Sequence, residues 1–147
     1  MLPDVPLDDS TMERLRAVLR QQGVAVAYLF GSVARGDAGP LSDVDVAVLF
    51  GRELSRAEPW DAMLRLDPYV SGALRQEADL VVLEIAPPAL RFAVIDEGLL
   101  ILNDDDDRRV EFEARTISEY LDTEHLRAVQ RHYLYERFAG QRNAATA

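Results

Sequence analysis

The chain contains no cysteine and no lysine, and its longest apolar runs are a handful of residues. Without cysteine there is no disulfide framework, no thiolate zinc site and no cysteine nucleophile. Without lysine, all 16 basic residues are arginine, set against 26 acids for a formal net charge of −10. That balance excludes a protein that grips nucleic-acid phosphates over a broad surface, because such binding rests on cationic patches. It leaves room for a cationic small molecule or a basic protein partner, and equally for solubility alone. No apolar run approaches the ~18 residues of a spanning helix, and Met1-Leu2-Pro3-Asp4 is an acidic start with no signal core. The expectation is a cytoplasmic chain with no membrane and no direct nucleic-acid partner. What is present is ordinary for a soluble domain: 147 residues, 48% hydrophobic and 29% charged. That length buries a core without staples, so a single domain over 1–147 is expected.

Periodicity orders the elements. Met12, Leu15, Val18 and Leu19 share one face of a helix over 10–22, with Ser10 and Glu13 at capping-box spacing and Gly23 placed to close the end. Val24 to Phe30 is a continuous apolar run, the pattern of a buried strand, and Asp43 to Phe50 is a second strand that opens on two carboxylates. Ser55 and Glu58 repeat the capping spacing before a helix with Trp60, Met63, Leu64 and Leu66 as its buried stripe, kinked or split at Pro68. Ala78 to Ile85 reads as a third strand, Pro87-Pro88 opens a short helix through Ile95 that Gly98 ends, and Leu99 to Leu102 makes a fourth strand. Asp104 to Asp107 suit a helix N-terminus, their repulsion relieved by water and by Arg108 and Arg109. Val110, Ala114, Ile117 and Leu121 then recur at helical spacing, followed by Leu126, Val129 and Tyr133, in a helical tail over about 104–140. Helices alternating with strands give an α/β (α+β) class in one domain.

The chemistry is concentrated in Gly31-Ser32-Val33-Ala34-Arg35-Gly36, six further residues, then Asp43-Val44-Asp45. Glycine at 31 allows a sharp turn and close approach of backbone to a ligand. Ser32 then opens a short helical turn, where amides and a hydroxyl suit a phosphate. Asp43 and Asp45, two apart on a strand, project from one face. Paired carboxylates beside a phosphate cradle match the needs of Mg²⁺ carrying a nucleoside triphosphate. Asp79 opens the otherwise apolar third strand, and an acid there demands a partner. If the third strand neighbours the second, three carboxylates converge and two metals fit between them.

These residues resemble a known family. Gly31-Ser32, Arg35-Gly36 and Ser42-Asp43-x-Asp45 look like the signature of the DNA polymerase β-like nucleotidyltransferases. The short chain is most similar to the minimal nucleotidyltransferases, whose MntA-type members are antitoxins to HEPN toxins. The resemblance runs in element order over Val24 to Leu102 and is sharpest at 31–45 and at Asp79. It implies the nucleotidyltransferase fold, a small mixed β-sheet with flanking helices mainly on one side, with Gly31 and Ser32 binding the triphosphate. Asp43 and Asp45 would hold the metals, Asp79 being third ligand and possible base. Arg35 matches a motif arginine, and a phosphate contact or a salt bridge to Asp37 or Asp43 serves it equally well. Ser42 reads as a turn cap. The implied function is AMP transfer from ATP to a tyrosine of a HEPN-type ribonuclease toxin, in a hetero-oligomer with it.

Two other functions compete. One is the same chemistry on a small cationic acceptor such as an aminoglycoside, against which stands the short stretch after the last core strand. The other is neutralisation of a partner by binding alone, which gains nothing from three acids in one cleft. Outside the motif the expectations are plain. His125 and His132 are seven apart and lack zinc-helix spacing, so they belong to a surface or interface. Arg127 and His132 resemble a HEPN ribonuclease motif by coincidence. Trp60, Tyr120, Tyr133 and Tyr135 read as core or interface aromatics. The tail is acidic between Asp104 and Glu124, with nine acids and three arginines, and arginine-rich beyond. It is expected to face a partner or simply to pack on the domain.

Overall fold

The structure, a computed structural model, describes residues 7–36 and 43–145. The described chain runs α1 (Asp9–Gln21), β1 (Val24–Phe30), α2 (Gly31–Arg35), β2 (Val44–Phe50), α3 (Glu58–Leu74), β3 (Ala78–Val82), α4 (Pro88–Glu97), β4 (Leu99–Asn103), α5 (Asp106–Asp122) and α6 (Glu124–Ala145). The strands form one mixed sheet in the order β3-β2-β1-β4. β1 is antiparallel to both β2 and β4, while β2 and β3 run parallel. The parallel pair needs a crossover, which α3 supplies.

β1 is apolar throughout because the sheet is covered on both faces. Val24, Ala27 and Leu29 enter the larger cluster with Met12, Leu15 and Leu19 of α1 and Leu66 and Val70 of α3. Ala25, Val26 and Tyr28 enter a second cluster with Val94 of α4 and Phe112 of α5. The register shift between Val24 and Val26 is what turns two consecutive residues to one face. Helices therefore flank both faces, not mainly one as the resemblance implied. No helix among the described residues is long and apolar enough to cross a membrane.

Several local expectations are corrected. Asp8, not Ser10, caps α1, its Oδ1 accepting from the Thr11 amide at 2.7 Å. Helix α1 begins one residue early, so Ser10 lies in its first turn. At α3 only half of the expected reciprocal cap exists: Glu58 Oε2 accepts from the Ser55 amide at 2.6 Å, while Ala57 occupies the cap position. The buried face of α3 is Ala62, Leu66, Val70, Ala73 and Leu74, and Trp60 and Leu64 are 59% and 72% exposed. The small side chains of Ala62 and Ala73 let α3 pack closely on α1 and the sheet, which a stripe centred on Trp60 would prevent. Pro68 does not split α3: it and Leu64, four residues earlier, are exposed, so water reaches the carbonyl that loses its donor. β3 stops at Val82, though the Leu83 amide still bonds the Val48 carbonyl at 2.9 Å.

The expected stripe of α5 is also rotated. Phe112, Glu113, Thr116 and Tyr120 face the domain, leaving Val110, Ile117 and Leu121 exposed. Polar pairing, absent from a hydrophobic count, sets this rotation. The buried Tyr28 hydroxyl donates to Glu113 at 2.6 Å, and Arg109 pairs the same carboxylate at 2.9 Å. Burial and the Glu113 charge push the Tyr28 hydroxyl pKa well above its ordinary value. Asp105 caps α5 and Asp106 pairs with Arg109 at 2.8 Å, as expected of a helix start, while Asp104 pairs with Arg20 at 2.8 Å, a partner the sequence did not suggest.

The rotated α3 face makes a paired prediction. Leu66→Ala opens a cavity in the core and should cost about 2–5 kcal/mol, whereas Leu64→Ala should stay within about 0.5 kcal/mol. Denaturant midpoints of the two variants check the ranking, and the sequence-based stripe predicts comparable losses.

Candidate active site

β1 ends at Phe30, directly opposite Asp45 in the antiparallel ladder. The next residue, Gly31, turns with φ +75° into the short helix α2. A Cβ at Gly31 would collide with Asp45 Oδ2. Glycine is thus required twice, by a backbone conformation that side chains rarely adopt and by the carboxylate beside it. Ser32 follows in the first turn of α2, which has no side-chain cap.

The parallel pairing of β2 with β3 sets Asp45 beside Asp79 as register partners. Asp45 is half-buried while Asp79 and Asp43 are exposed. Burial pushes the Asp45 carboxyl above its ordinary range, and the charge of Asp79, a hydrogen bond to it and the charge of Asp43 push the same way. Arg35 opposes them. The structure therefore brings Gly31, Ser32, Asp43, Asp45 and Asp79 to one end of the sheet.

Arg35 pairs with Glu97 at the end of α4, Nη1 to Oε2 at 3.7 Å, both side chains about half exposed. That partner was not expected. It lies far off in sequence, and only the antiparallel entry of β4 beside β1 brings the end of α4 to α2. Asp37 and Ser42 lie outside the described residues. Among the described residues no group of three or more histidine or acidic side chains is arranged to hold a metal ion. Two cavities of about 330 and 310 Å³ open at the other end of β2, around Phe50 and Leu49, and neither is lined by these residues.

The tail residues separate as expected. The Arg127 guanidinium lies 3.6 Å over the Tyr120 ring, which stacks on Phe92 with centroids 3.8 Å apart. His132 pairs instead with Glu136 at 3.2 Å on the exposed side of α6. Arg127 and His132 therefore serve separate contacts. Tyr133 and Tyr135 are exposed, and Tyr120 is the aromatic that joins α4, α5 and α6.

A glycine turn packed on an acid pair across parallel strands is the framework of a nucleotidyltransferase. The polymerase beta nucleotidyltransferase family matches residues 13–107, and the chain belongs to that family. Among relatives, the protein adenylyltransferase MntA of Shewanella oneidensis is 34% identical over 101 residues, spanning 69% of this chain and 67% of that protein. A crystal structure of a toxin–antitoxin with AMP-PNP matches with TM-score 0.66 and 28% identity, covering 86% of this chain and 98% of the other. A structure of tri-AMPylated Shewanella oneidensis HEPN toxin in complex with MNT antitoxin matches with TM-score 0.63 and 25% identity, covering 87% and 96%.

The acid pair predicts a pH-dependent stability. A carboxyl raised in the folded state holds its proton more tightly there than in the unfolded chain. Its contribution is therefore largest at low pH and declines as pH rises above the ordinary value of 3.8. Asp79→Asn removes one charge facing Asp45. It should raise the melting temperature of the metal-free protein at pH 7, and raise it less at pH 4. Melting curves in chelator at the two pH values check this; equal shifts would place the repulsion elsewhere.

Proposed function

We propose that the chain is a Mg²⁺-dependent protein adenylyltransferase that moves AMP from ATP to a tyrosine hydroxyl of a HEPN-type ribonuclease toxin, and so acts as its antitoxin. The observation that carries the reading is the register pairing of Asp45 with Asp79 against the Gly31 turn. Family membership supports nucleotidyl transfer, and the toxin-bound and AMP-PNP-bound neighbours support the donor and the acceptor.

The residues fit a divalent cation by their chemistry. Asp45 is a carboxylate crowded by two others and relieved only in part by Arg35, a site where added positive charge is favourable. Mg²⁺ takes one or two carboxylates and completes its shell with phosphates and water, so a closed protein cage is not required. Asp45 with Asp79 or Asp43 would hold such an ion, which when bound supplies neutralisation of the triphosphate charge.

The rest is done by the chain. Gly31 and Ser32 present amides and a hydroxyl to the phosphates, and Arg35, whose charge is felt at Asp45, adds a cation at the same end of the sheet. Asp79 accepts the proton of the tyrosine hydroxyl as its oxygen attacks the α-phosphorus. The bond to the β-phosphate oxygen breaks and pyrophosphate leaves. A phenol ionises near pH ~10, far more readily than an alcohol, so a carboxylate base suits it.

Intact-mass measurement of a HEPN-type toxin incubated with the chain, Mg²⁺ and ATP should show one or more added AMP units, and none with Asp79→Asn. Neutralisation of the toxin by that variant without added mass would favour binding alone. Mg²⁺ and ATP together should raise the melting temperature of the wild type and not of Asp45→Asn. Ser32→Ala should weaken ATP binding by about 1.5–3 kcal/mol, the loss of a hydrogen bond to a charged group, and Gly31→Ala by more.

A further inference from the structure

Helices α5 and α6 carry apolar side chains that nothing among the described residues covers. Val110, Ile117 and Leu121 on α5 are 50%, 41% and 58% exposed, and Ala114 between them is exposed too. Their 4-3-4 spacing is the seam by which one helix packs along another. Leu126, Val129 and Tyr133 continue with 3-4 spacing on α6 and are 62%, 53% and 63% exposed. Single exposed apolar residues are common on any surface, but two stripes at helical spacing on successive helices are not. A single residue, Thr123, separates the helices, and Arg127 of α6 lies over the Tyr120 ring of α5.

We propose that this α5–α6 face is the docking surface for a helix of the protein partner. That helix would have an apolar seam flanked by cations. The proposal rests on the reading above that the partner is a HEPN-type toxin. On the α5 half, charge supports a basic partner: Asp107, Glu111, Asp122 and Glu124 are exposed on or beside the stripe, against one exposed cation, Arg115, which pairs with Glu111 at 3.0 Å. Two α5 stripes facing each other would bring these acids together, which disfavours an α5-to-α5 pairing of two copies. Shared structure supports a toxin. The family match ends at 107, yet the AMP-PNP-bound toxin–antitoxin structure covers 86% of this 147-residue chain, more than residues 1–107 can supply. The likeness to that chain therefore extends into the tail.

The test is co-purification of a HEPN-type toxin with the full chain and with the double variant Ile117→Glu, Leu121→Glu. Both positions are exposed, so melting temperature and the Mg²⁺–ATP response should match wild type, while toxin binding should weaken at least tenfold. Ile117→Ser, a milder change, should weaken it less and in the same direction. Undiminished binding by the double variant would overturn the proposal. So would sedimentation showing a wild-type dimer that the variant dissolves while toxin binding persists, since the face would then serve a second copy. Asp79→Asn separates this from the function itself. If it binds toxin and depends on Ile117 and Leu121, docking stands whether or not the wild type transfers AMP.

Discussion

The pairing of Asp45 with Asp79 is the constraint on which the site depends. Two carboxylates on adjacent parallel strands repel each other, and nothing in strand geometry alone relieves them. Their position is enforced from both sides of β2. On one side the antiparallel ladder sets Phe30 opposite Asp45, so that the chain must leave β1 through Gly31, the one residue type that clears the Asp45 carboxylate. On the other, the α3 crossover returns the chain as β3 with Asp79 in register. The Leu, Val and Ala contacts that hold α1 and α3 to the sheet are thus what keep two like charges together. A site held against its own repulsion favours a ligand that brings positive charge.

Much of this was legible because it is local. The Gly31 turn, the acids two apart and the apolar runs of β1 and β2 lie within one stretch of the sequence; the element order was read from such local patterns, and the mixed sheet came with the resemblance that the motif carries. Asp79 was found because an acid at the head of an apolar strand is anomalous wherever it occurs. What failed was rotation about helix axes. The faces of α3 and α5 were assigned by large apolar side chains, yet Ala62 and Ala73 choose the buried face of α3 by being small. On α5 the choice falls to the Tyr28–Glu113–Arg109 hydrogen bonds. Neither signal survives in a count of hydrophobicity. The Arg35–Glu97 pair was equally invisible, since it exists only once β4 has entered beside β1.

The absence of lysine takes on a structural meaning. Guanidinium groups tie elements together by donating to backbone carbonyls that the secondary structure leaves open. Arg14 reaches the Ala73 carbonyl at 3.2 Å, joining α1 to α3, and Arg16 reaches that of Ile101 in β4 at 2.7 Å. Arg91 spans the carbonyls of Leu83 and Glu84 just beyond β3, and Arg108 those of Phe50 and Arg52 at the end of β2. A planar fork with five donors makes two such bonds from one side chain, which an ammonium does with poorer geometry. Much of the cationic chemistry is therefore spent inside the molecule. The acidic balance that remains is a property of the surface, where a basic partner would meet it.

Site and tail are linked through one face of the sheet. Along β2, side chains alternate, so Asp45 projects to the same side as Ala47 and Leu49, the side packed by α4 and α5. Asp79, its register partner, shares that side with Val81. Tyr28 projects there too, and its bond to Glu113 fixes how α5 lies on the sheet and hence which way Val110, Ile117 and Leu121 point. A partner seated along α5 would therefore approach from the carboxylate side of the sheet. Its modified side chain would need only to reach along that face to the end where β1 turns into α2. Holding a macromolecular acceptor by a remote helix, with Asp45 and Asp79 left open at the strand ends, would let binding energy position a side chain without a pocket built around it.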